Sequence, residues 1–285
     1  MARKSWNDSR PIRSYLQAAH RFTGARYFAE PLNCGLLQRD DLMKPGILSI
    51  DIGGTGLKAA VLDQRRKLET ARVRIPTPHP CPPEVMLAAL AQLVATLPAF
   101  DRISVGFPGV IRDGVVQTAP NLGTAEWAGF ALAQAISQQF AGYPVKLIND
   151  ADMQGFSLIS GQGVELALTL GTGFGSALFH DGELLPHIEL AHHPIHKKQT
   201  YDEYLGVAAY TKVGKKRWNR RLQRALHLVD ALFSPHGIVL GGGNAAKVTF
   251  TLPEHVTLGS NQAGIQGGAV LWGKPGQRIR AVSAA

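Results

Sequence analysis

Cysteine is scarce in this chain of 285 residues, and the scarcity excludes two classes of architecture. Cys34 and Cys81 are the only cysteines and lie far apart, so the sequence offers neither a disulfide framework nor a thiolate metal site. Two unclustered cysteines fit a reducing compartment, and we therefore expect a cytoplasmic protein. No run approaches the roughly 18 apolar residues of a membrane helix. The basic N-terminus lacks the apolar segment of a secretory signal, so we expect no membrane partner.

Acidic residues are also few. The chain has 21 Asp and Glu against 30 Lys and Arg, which gives a net charge of +9. A basic protein attracts polyanions such as nucleic acid, anionic lipid or phosphorylated molecules, although many basic proteins bind none of these. Hydrophobic residues make up 45% of the chain and glycine occurs 31 times, which is typical of a globular α/β protein with many tight turns. The length allows two domains.

Residues 1–43 differ from the rest of the chain. They contain several arginines, show little apolar periodicity and predict no clear strand. Met43 then opens a segment that runs directly into a buried strand. We expect 1–43 to be a poorly ordered extension, or to precede the natural start of the protein.

From residue 47 the pattern becomes regular and predicts an α/β fold. An apolar strand at 47–51, a turn of Gly and Thr, and a second strand at 57–63 open this region, and the same plan returns at 166–179. Helical spacing covers 82–97 and 130–140, and further strands are predicted at 102–111, 144–148 and 237–240. Two halves of this kind predict a ligand cleft between them.

Three glycine-rich turns follow strands, at 51–58, 170–175 and 240–247. Without a Cβ the backbone approaches an anion closely, and successive N–H groups point into one concavity. In the first turn, Asp51 could hold a hydrated Mg²⁺ and Lys58 adds positive charge. Each turn alone is most often a simple turn, and none fits the P-loop or dinucleotide pattern. Their order, with Asn149 and Asp150 between them, favours phosphate binding.

The turns resemble motifs of the sugar kinase/Hsp70/actin superfamily. The first phosphate motif is matched by D-I-G-G-T-G-L-K, the second by L-G-T-G-F-G-S-A-L-F, and the adenosine motif by G-I-V-L-G-G-G-N-A-A-K. Within this superfamily the chain is similar to the ROK sugar kinases, and most to the polyphosphate glucokinases among them. The segments that carry this similarity are V-G-F-P-G-V-I, T-A-P-N-L, I-N-D-A-D-M-Q-G and E-L-A-H.

The resemblance implies a two-domain α/β fold of the ribonuclease H-like kind with an interdomain cleft. The implied domains are 44–150 and 151–285, with the last helix packing back on the first domain. The implied activity is that of a hexose kinase, by expectation a glucokinase, in which Asp150 is the general base that accepts the proton of the sugar 6-hydroxyl. Mg²⁺ would accompany the donor, which is polyphosphate, ATP or both. ROK kinases are commonly dimers, so we expect a homodimer.

The resemblance also implies site residues, grouped by ligand. The expected sugar ligands are Asn121, Asn149, Glu189 and His192. The expected phosphate ligands are Asp51, Gly53, Gly54, Thr55, Lys58, Gly171, Thr172, Gly173 and Gly175, with Asp51 also holding Mg²⁺ through water. The expected nucleotide ligands are Gly241, Gly242, Gly243 and Asn244. Two alternatives stay open: Asn149 and Asp150 are good N-cap residues, and Trp127 could cover the sugar or belong to the core.

Two features depart from the wider family. Many ROK members bind structural zinc through the histidine of an E-x-G-H motif and a following cysteine cluster. Here four histidines lie close together with no cysteine beside them, namely His187, His192, His193 and His196. We therefore expect no structural zinc and assign His192 to the sugar. Ala191 replaces the usual glycine of the motif, which could shift this loop slightly.

A basic segment carries much of the positive charge, since 206–229 contains no Asp or Glu. A solvated helix face is the ordinary explanation for such a run. Because like charges on one helix repel each other, we favour a track that guides a polymeric phosphate donor. The predicted polyphosphate track consists of Lys212, Lys215, Lys216, Arg217 and Arg220, followed by Arg221 and Arg224.

Two rival functions remain. A sugar-responsive repressor of the ROK family would need a DNA-binding helix-turn-helix ahead of the sugar domain, and 1–43 is too short and lacks its periodicity. A sugar sensor or nucleic-acid binder without kinase activity would not need Asp51, Asp150 and three intact glycine turns. We therefore predict a hexose and a phosphate donor as partners, and no nucleic acid.

Overall fold

The computed structural model describes residues 46–63, 65, 67–260, 263–273 and 281–283. The expectations for 1–43 lie outside the described residues. All described residues belong to one compact unit, Met43–Ala285. No helix among them is long and apolar enough to cross a membrane.

The first sheet has five strands in the order β3-β2-β1-β4-β7. These strands are β1 (Ile47–Ile52), β2 (Leu57–Leu62), β3 (Val73–Ile75), β4 (Arg102–Phe107) and β7 (Val145–Asn149). β1 pairs antiparallel with β2 and parallel with β4, and β4 pairs parallel with β7. A small hairpin of β5 (Ile111–Arg112) and β6 (Val115–Val116) follows β4, and the helices α1 (Pro83–Val94) and α2 (Leu132–Gln139) belong to the same core.

The second sheet repeats this plan in the order β10-β9-β8-β13-β14. Its strands are β8 (Val164–Leu170), β9 (Phe174–His180), β10 (Glu183–Leu184), β13 (Gly237–Gly241) and β14 (Val256–Leu258). β8 and β9 form the antiparallel hairpin, and β13 pairs parallel with β8 and with β14. The predicted repetition of strand, glycine turn and strand is therefore confirmed.

Four helices complete the described structure, together with the hairpin β11 (Pro194–His196) and β12 (Gln199–Thr200). They are α3 (Asp150–Gly155), α4 (Tyr201–Leu205), α5 (Val207–Phe233) and α6 (Ala263–Val270). A capping box between Thr200 and Glu203 starts α4. Within α5, Gly214 has φ +74° and marks a kink, a conformation that glycine adopts without steric cost.

The apolar face predicted around Leu222 and Val229 is the buried side of α5. It packs, with Trp218, into the core of the second sheet. One predicted element differs from the structure. The predicted strand 102–111 ends at Phe107 because Pro108, which has no N–H to donate, follows it. The third glycine turn leads into a 3₁₀ turn, Ala245–Lys247.

Helix α6 packs closely against the first sheet. The hydroxyl of Ser49 on β1 donates to the carbonyl of Ile265 at 2.7 Å, and the hydroxyl of Ser104 on β4 donates to the carbonyl of Gly268 at 2.6 Å. A Cβ on Gly268 would collide with Ser49. The last described helix therefore lies on β1 and β4, whereas the domain boundary near residue 150 stays a prediction.

Candidate functional site

A cleft of about 260 Å³ brings most of the predicted site residues together. It lies where β1, β4 and β7 of the first sheet and the β8–β9 turn of the second come close. The predicted residues that line it are Asp51, Gly53, Gly54, Thr55, Lys58, Asn121, Asn149, Asp150, Gly171, Thr172, Gly173, Gly175, Glu189, His192, Gly242 and Gly243. Gly241, Asn244 and the predicted polyphosphate track are not part of its lining.

Asp150 is the first residue of α3 and directly follows β7. Its Oδ1 accepts a hydrogen bond from the N–H of Ala151 at 2.9 Å. Burial and the negative charge of Asp51 raise the pKa of Asp150 to about 7, although the N–H of Ala151 partly opposes this shift. A carboxylate with a pKa near neutrality is suited to accept a proton and release it again.

Asn149 is tied to the protein on both sides of its amide. Its Oδ1 accepts hydrogen bonds from the N–H groups of Ala151 at 2.8 Å and Asp152 at 3.3 Å, so it caps α3. Its Nδ2 donates to the carbonyl of Gly109 at 3.2 Å. Asn149 is therefore the N-cap of α3, which is one of the two roles that the sequence left open. It also lines the cleft, although it is only 7% exposed.

The first glycine turn is flanked by a row of charges on three neighbouring strands. Asp51 on β1 faces Lys58 on β2, and the Nζ of Lys58 lies 2.7 Å from Oδ2 of Asp51. Lys58 in turn faces Arg74 on β3. The guanidinium of Arg74 packs on Gly56, where a Cβ would come within 2.8 Å of Nε. Lys58 is therefore neutralised by Asp51, whereas Arg74 adds positive charge to the cleft rim.

The second and third glycine turns are locked to each other and to the start of α5. The amide of Asn244 donates to the carbonyl of Gly171 at 2.8 Å. The N–H of Val207, the first residue of α5, donates to the carbonyl of Thr172 at 3.0 Å. Asp202 accepts a hydrogen bond from the N–H of Phe174 at 2.6 Å. Asn244 thus supports the second turn from outside the cleft.

Glu189 belongs to a charged cluster that includes two residues absent from the sequence-based site. Nε2 of His187 lies 3.4 Å from Oε2 of Glu189, and Nδ1 of His187 lies 2.9 Å from Oδ2 of Asp152. Burial opposes protonation of His187, but its hydrogen bonds to Asp152 and Glu189 outweigh burial and raise its pKa to about 10. The imidazole is therefore a cation between two carboxylates.

Sequence reasoning did not identify five residues of this region, namely Arg72, Arg74, Asp152, His187 and Asp202. Of these, all but Asp152 line the cleft. Arg74 lies in β3 and Arg72 directly precedes this strand, and this spacing of two, which places side chains on one side of an extended chain, was a readable signal. The pairing of Asp152 with His187 was not readable, because the two residues are 35 positions apart in the chain.

Two further expectations concern Trp127 and Ala191. Trp127 is 1% exposed and its indole N–H donates to the carbonyl of Cys81 at 2.8 Å. It contacts Phe107 in the core of the first sheet, so of the two roles left open by the sequence, Trp127 has that of a core residue. Ala191 is buried in the 3₁₀ turn Leu190–His192 and lies between the predicted sugar ligands Glu189 and His192 in the chain.

The predicted track lies on the outer surface of α5. Its five cations are exposed, while Trp218 and Leu222 form the opposite, buried face of the same helix. None of the five forms an ion pair with any residue that the structure describes. Helix α5 begins beside Thr172, and four of the five cations follow the kink at Gly214.

The metal expectations can be compared with the available ligands. Among the described residues, no group of three or more His, Cys, Asp or Glu side chains is arranged to hold a metal ion. Mg²⁺ in phosphoryl-transfer sites keeps several waters and needs only one or two carboxylates besides the substrate phosphates. Asp51 fits this requirement, since Lys58 engages only its Oδ2 and the residue lines the cleft beside the first glycine turn.

Comparison with known proteins agrees with this geometry. The polyphosphate glucokinase of Mycobacterium tuberculosis is 30% identical over 217 residues, which cover 72% of this chain and 80% of that protein. The crystal structure of an inorganic polyphosphate/ATP-glucomannokinase from an Arthrobacter strain superposes with a TM-score of 0.73 at 32% identity, and covers 80% of this chain and 98% of that one. The predicted two-domain sugar kinase fold is confirmed by this likeness.

A third similarity concerns the fold alone. A ROK family transcriptional regulator, a homologue of the Mlc protein of E. coli, superposes with a TM-score of 0.60 at 17% identity over 80% of this chain and 78% of that one. Residues 47–192, which contain the first two glycine turns, Asp150 and Glu189, match the ROK family as a whole. Together with the relative that is 30% identical over most of the chain, this match shows that the protein belongs to the ROK family.

Proposed function

We propose that this ROK-family phosphotransferase, which acts on a hydroxyl group, is a hexose kinase that phosphorylates the 6-hydroxyl of glucose. The observation that carries the proposal is the position of Asp150. It lines the same cleft as two glycine turns and the polar side chains of Asn121, Glu189 and His192. A base between a phosphate site and a polyol site is the arrangement that phosphoryl transfer to a sugar requires.

Asp150 accepts the proton of the attacking hydroxyl in this proposal. Phosphoryl transfer leaves little covalent work to the protein, so positioning, charge neutralisation and one base are sufficient. The pKa of Asp150, raised to about 7 by burial and by Asp51, leaves a large fraction of the carboxylate ionised at neutral pH. The proton then passes from the sugar oxygen to Asp150 as this oxygen bonds to the terminal phosphorus and the bridging P–O bond of the donor breaks, which releases ADP or a polyphosphate shorter by one unit.

The polar side chains of the cleft suit a polyol. Every sugar hydroxyl that is buried needs a partner, and Asn121, Glu189 and His192 offer both donors and acceptors. Asn149 contributes mainly by fixing the start of α3 and hence the position of Asp150. Glucose is the expected hexose because the named relatives include a glucokinase and a glucomannokinase.

The glycine turns and nearby cations are the proposed donor site. The turns at Gly53–Gly56 and Gly171–Gly173 line the cleft, and Mg²⁺ near Asp51 would neutralise charge on the transferred phosphoryl group. Both ATP and polyphosphate end in phosphates that fit this site. The free cations of α5 favour polyphosphate as one usable donor, because a polymer can engage the helix and the cleft at the same time.

The assay that tests the proposal measures glucose 6-phosphate with Mg²⁺ and either ATP or long-chain polyphosphate. Wild-type protein should turn over with at least one donor, and Asp150→Asn should lower kcat by about 10²- to 10⁴-fold. Asp113→Asn is the matched control, since Asp113 is an exposed carboxylate in the β5–β6 turn and does not line the cleft. If none of a panel of hexoses is phosphorylated, the result would instead favour a sugar-binding regulator.

The proposal also includes a cytoplasmic location and a homodimer. Light scattering of the purified protein tests the homodimer.

A further inference from the structure

The cluster of Asp152, His187 and Glu189 has a geometry that phosphoryl transfer itself does not explain. Asp152 is 3% exposed and its Oδ2 lies 2.9 Å from Nδ1 of His187. The second ring nitrogen of His187 lies 3.4 Å from Oε2 of Glu189. The imidazole thus connects a carboxylate inside the protein to a carboxylate at the cleft.

Helix α3 does not need the carboxylate of Asp152 for its own stability. The N–H groups of Ala151 and Asp152 are already capped by the side chain of Asn149. Moreover, Oδ1 of Asp152 is buried without a hydrogen-bond partner among the described residues. A buried carboxylate is costly unless it is paired, so the contact with His187 is the interaction that accounts for an acid at this position.

The contact with His187 also determines the ionisation state of Glu189. Burial would raise the pKa of Glu189, but the hydrogen bond and the positive charge of His187 outweigh burial and lower it. Glu189 therefore remains an ionised acceptor at neutral pH. A charged donor that is itself held in place also restricts the rotamers of Glu189, which reduces the entropy lost when a ligand binds.

We propose that His187 is a positioning residue for the hexose: anchored by Asp152, it holds the carboxylate of Glu189 in the orientation that accepts hydrogen bonds from sugar hydroxyls. The inference rests on the proposed function in one respect, since Glu189 is the sugar ligand of that proposal. It adds that sugar affinity depends on a chain of three side chains, of which only Glu189 and His187 reach the cleft.

Two substitutions separate this role from a merely structural one. His187→Asn retains an amide nitrogen near the position of Nδ1, and so keeps a partner for Asp152, but it is too short to reach Glu189. His187→Gln extends a neutral donor towards Glu189. The control is His180→Asn, because His180 is an exposed histidine of β9, with a side chain 58% exposed, and does not line the cleft.

Steady-state kinetics and glucose calorimetry test the inference. We expect His187→Asn to raise the KM and the Kd for glucose about tenfold or more, with an unchanged KM for the donor, and His187→Gln to recover part of the loss. An unchanged Kd for glucose in His187→Asn would overturn the inference, as would an equal rise in both KM values with a lower Tm. If wild-type protein binds glucose but phosphorylates no hexose, the kinase proposal fails while the calorimetric comparison still decides the role of His187.

Discussion

At the residue scale, the properties of Asp150 depend on its neighbours more than on its own chemistry. Burial and the charge of Asp51 disfavour the ionised form, and the N–H of Ala151 favours it. The balance brings the pKa to about 7, which an exposed aspartate with a pKa near 4 would not reach. The carboxylate therefore changes its protonation state in the physiological range.

The pH dependence of the reaction follows from this value. Because Asp150 must be ionised to accept a proton, kcat/KM for glucose should fall about tenfold for each pH unit below 7 and should level off above about pH 8. The measurement is kcat/KM for glucose at saturating donor between pH 5 and 9. A rate that stays constant from pH 5 to 7 would contradict a base with this pKa.

The sequence was sufficient for some residues of the cleft and insufficient for others. Asp150 and the glycine turns could be predicted because each belongs to a short contiguous segment with a recognisable pattern. His187 and Asp152 could not, because their contact joins a loop after β10 to a helix 35 positions earlier. The four histidines near residue 190 were not expected to bind zinc, and one of them, His187, lies between two carboxylates.

At the scale of elements, strands were predicted best and short helices worst. The short apolar runs of β1 and β13 are typical of buried strands and predicted them directly. Helix α3 has six residues and α4 has five, which is too short for a helical period to be visible. The readable signals were the N-cap residue Asn149 for α3 and the capping box of Thr200 and Glu203 for α4.

The exposed face of α5 gives a prediction about the donor. Replacing Lys215, Lys216 and Arg217 by Glu should raise the KM for polyphosphate much more than the KM for ATP, because only a polymer extends from the cleft to this helix. The control replaces two exposed cations away from α5, Lys67 and Arg112, by Glu. Equal effects on both donors would count against the track.

Strand β3 gives a different prediction, since its cation lies at the cleft itself. Arg74 neighbours Lys58, whose charge is offset by Asp51, so Arg74 is positioned to contact a donor phosphate. Arg74→Ala should raise the KM for ATP and polyphosphate alike, by about five- to tenfold, as expected for one lost charged hydrogen bond. The KM for glucose should remain unchanged. A selective rise in the KM for glucose would contradict the assignment of Arg74 to the donor site.

At the scale of the whole molecule, two sheets of the same plan face one cleft. Their glycine turns approach it from opposite sides, at Gly53–Gly56 and Gly171–Gly173. Such an arrangement allows the halves to close on a ligand and exclude water, which would otherwise accept the phosphate. The boundary between the halves was predicted from the sequence only through the repeated pattern, and it remains a prediction.

Closure can be followed by amide hydrogen exchange. Glucose together with a non-hydrolysable ATP analogue should slow exchange at both glycine turns, whereas the turn between β9 and β10, where His180, Asp181 and Glu183 are exposed, should exchange as before. Sorbitol, an open-chain polyol, is the control ligand. Protection of only one turn would indicate local binding without closure.

The length of the basic face on α5 has a consequence for how a polymer would be consumed. Its cations from Lys215 onward follow the kink at Gly214, and at about 1.5 Å per residue the stretch from Lys215 to Arg224 spans about 14 Å. A polyphosphate held there stays attached after its terminal unit has left, and the shortened end can re-enter the cleft without a new encounter. Degradation would then be processive: long chains would shrink to a length at which they no longer reach the helix, and would be released at that length.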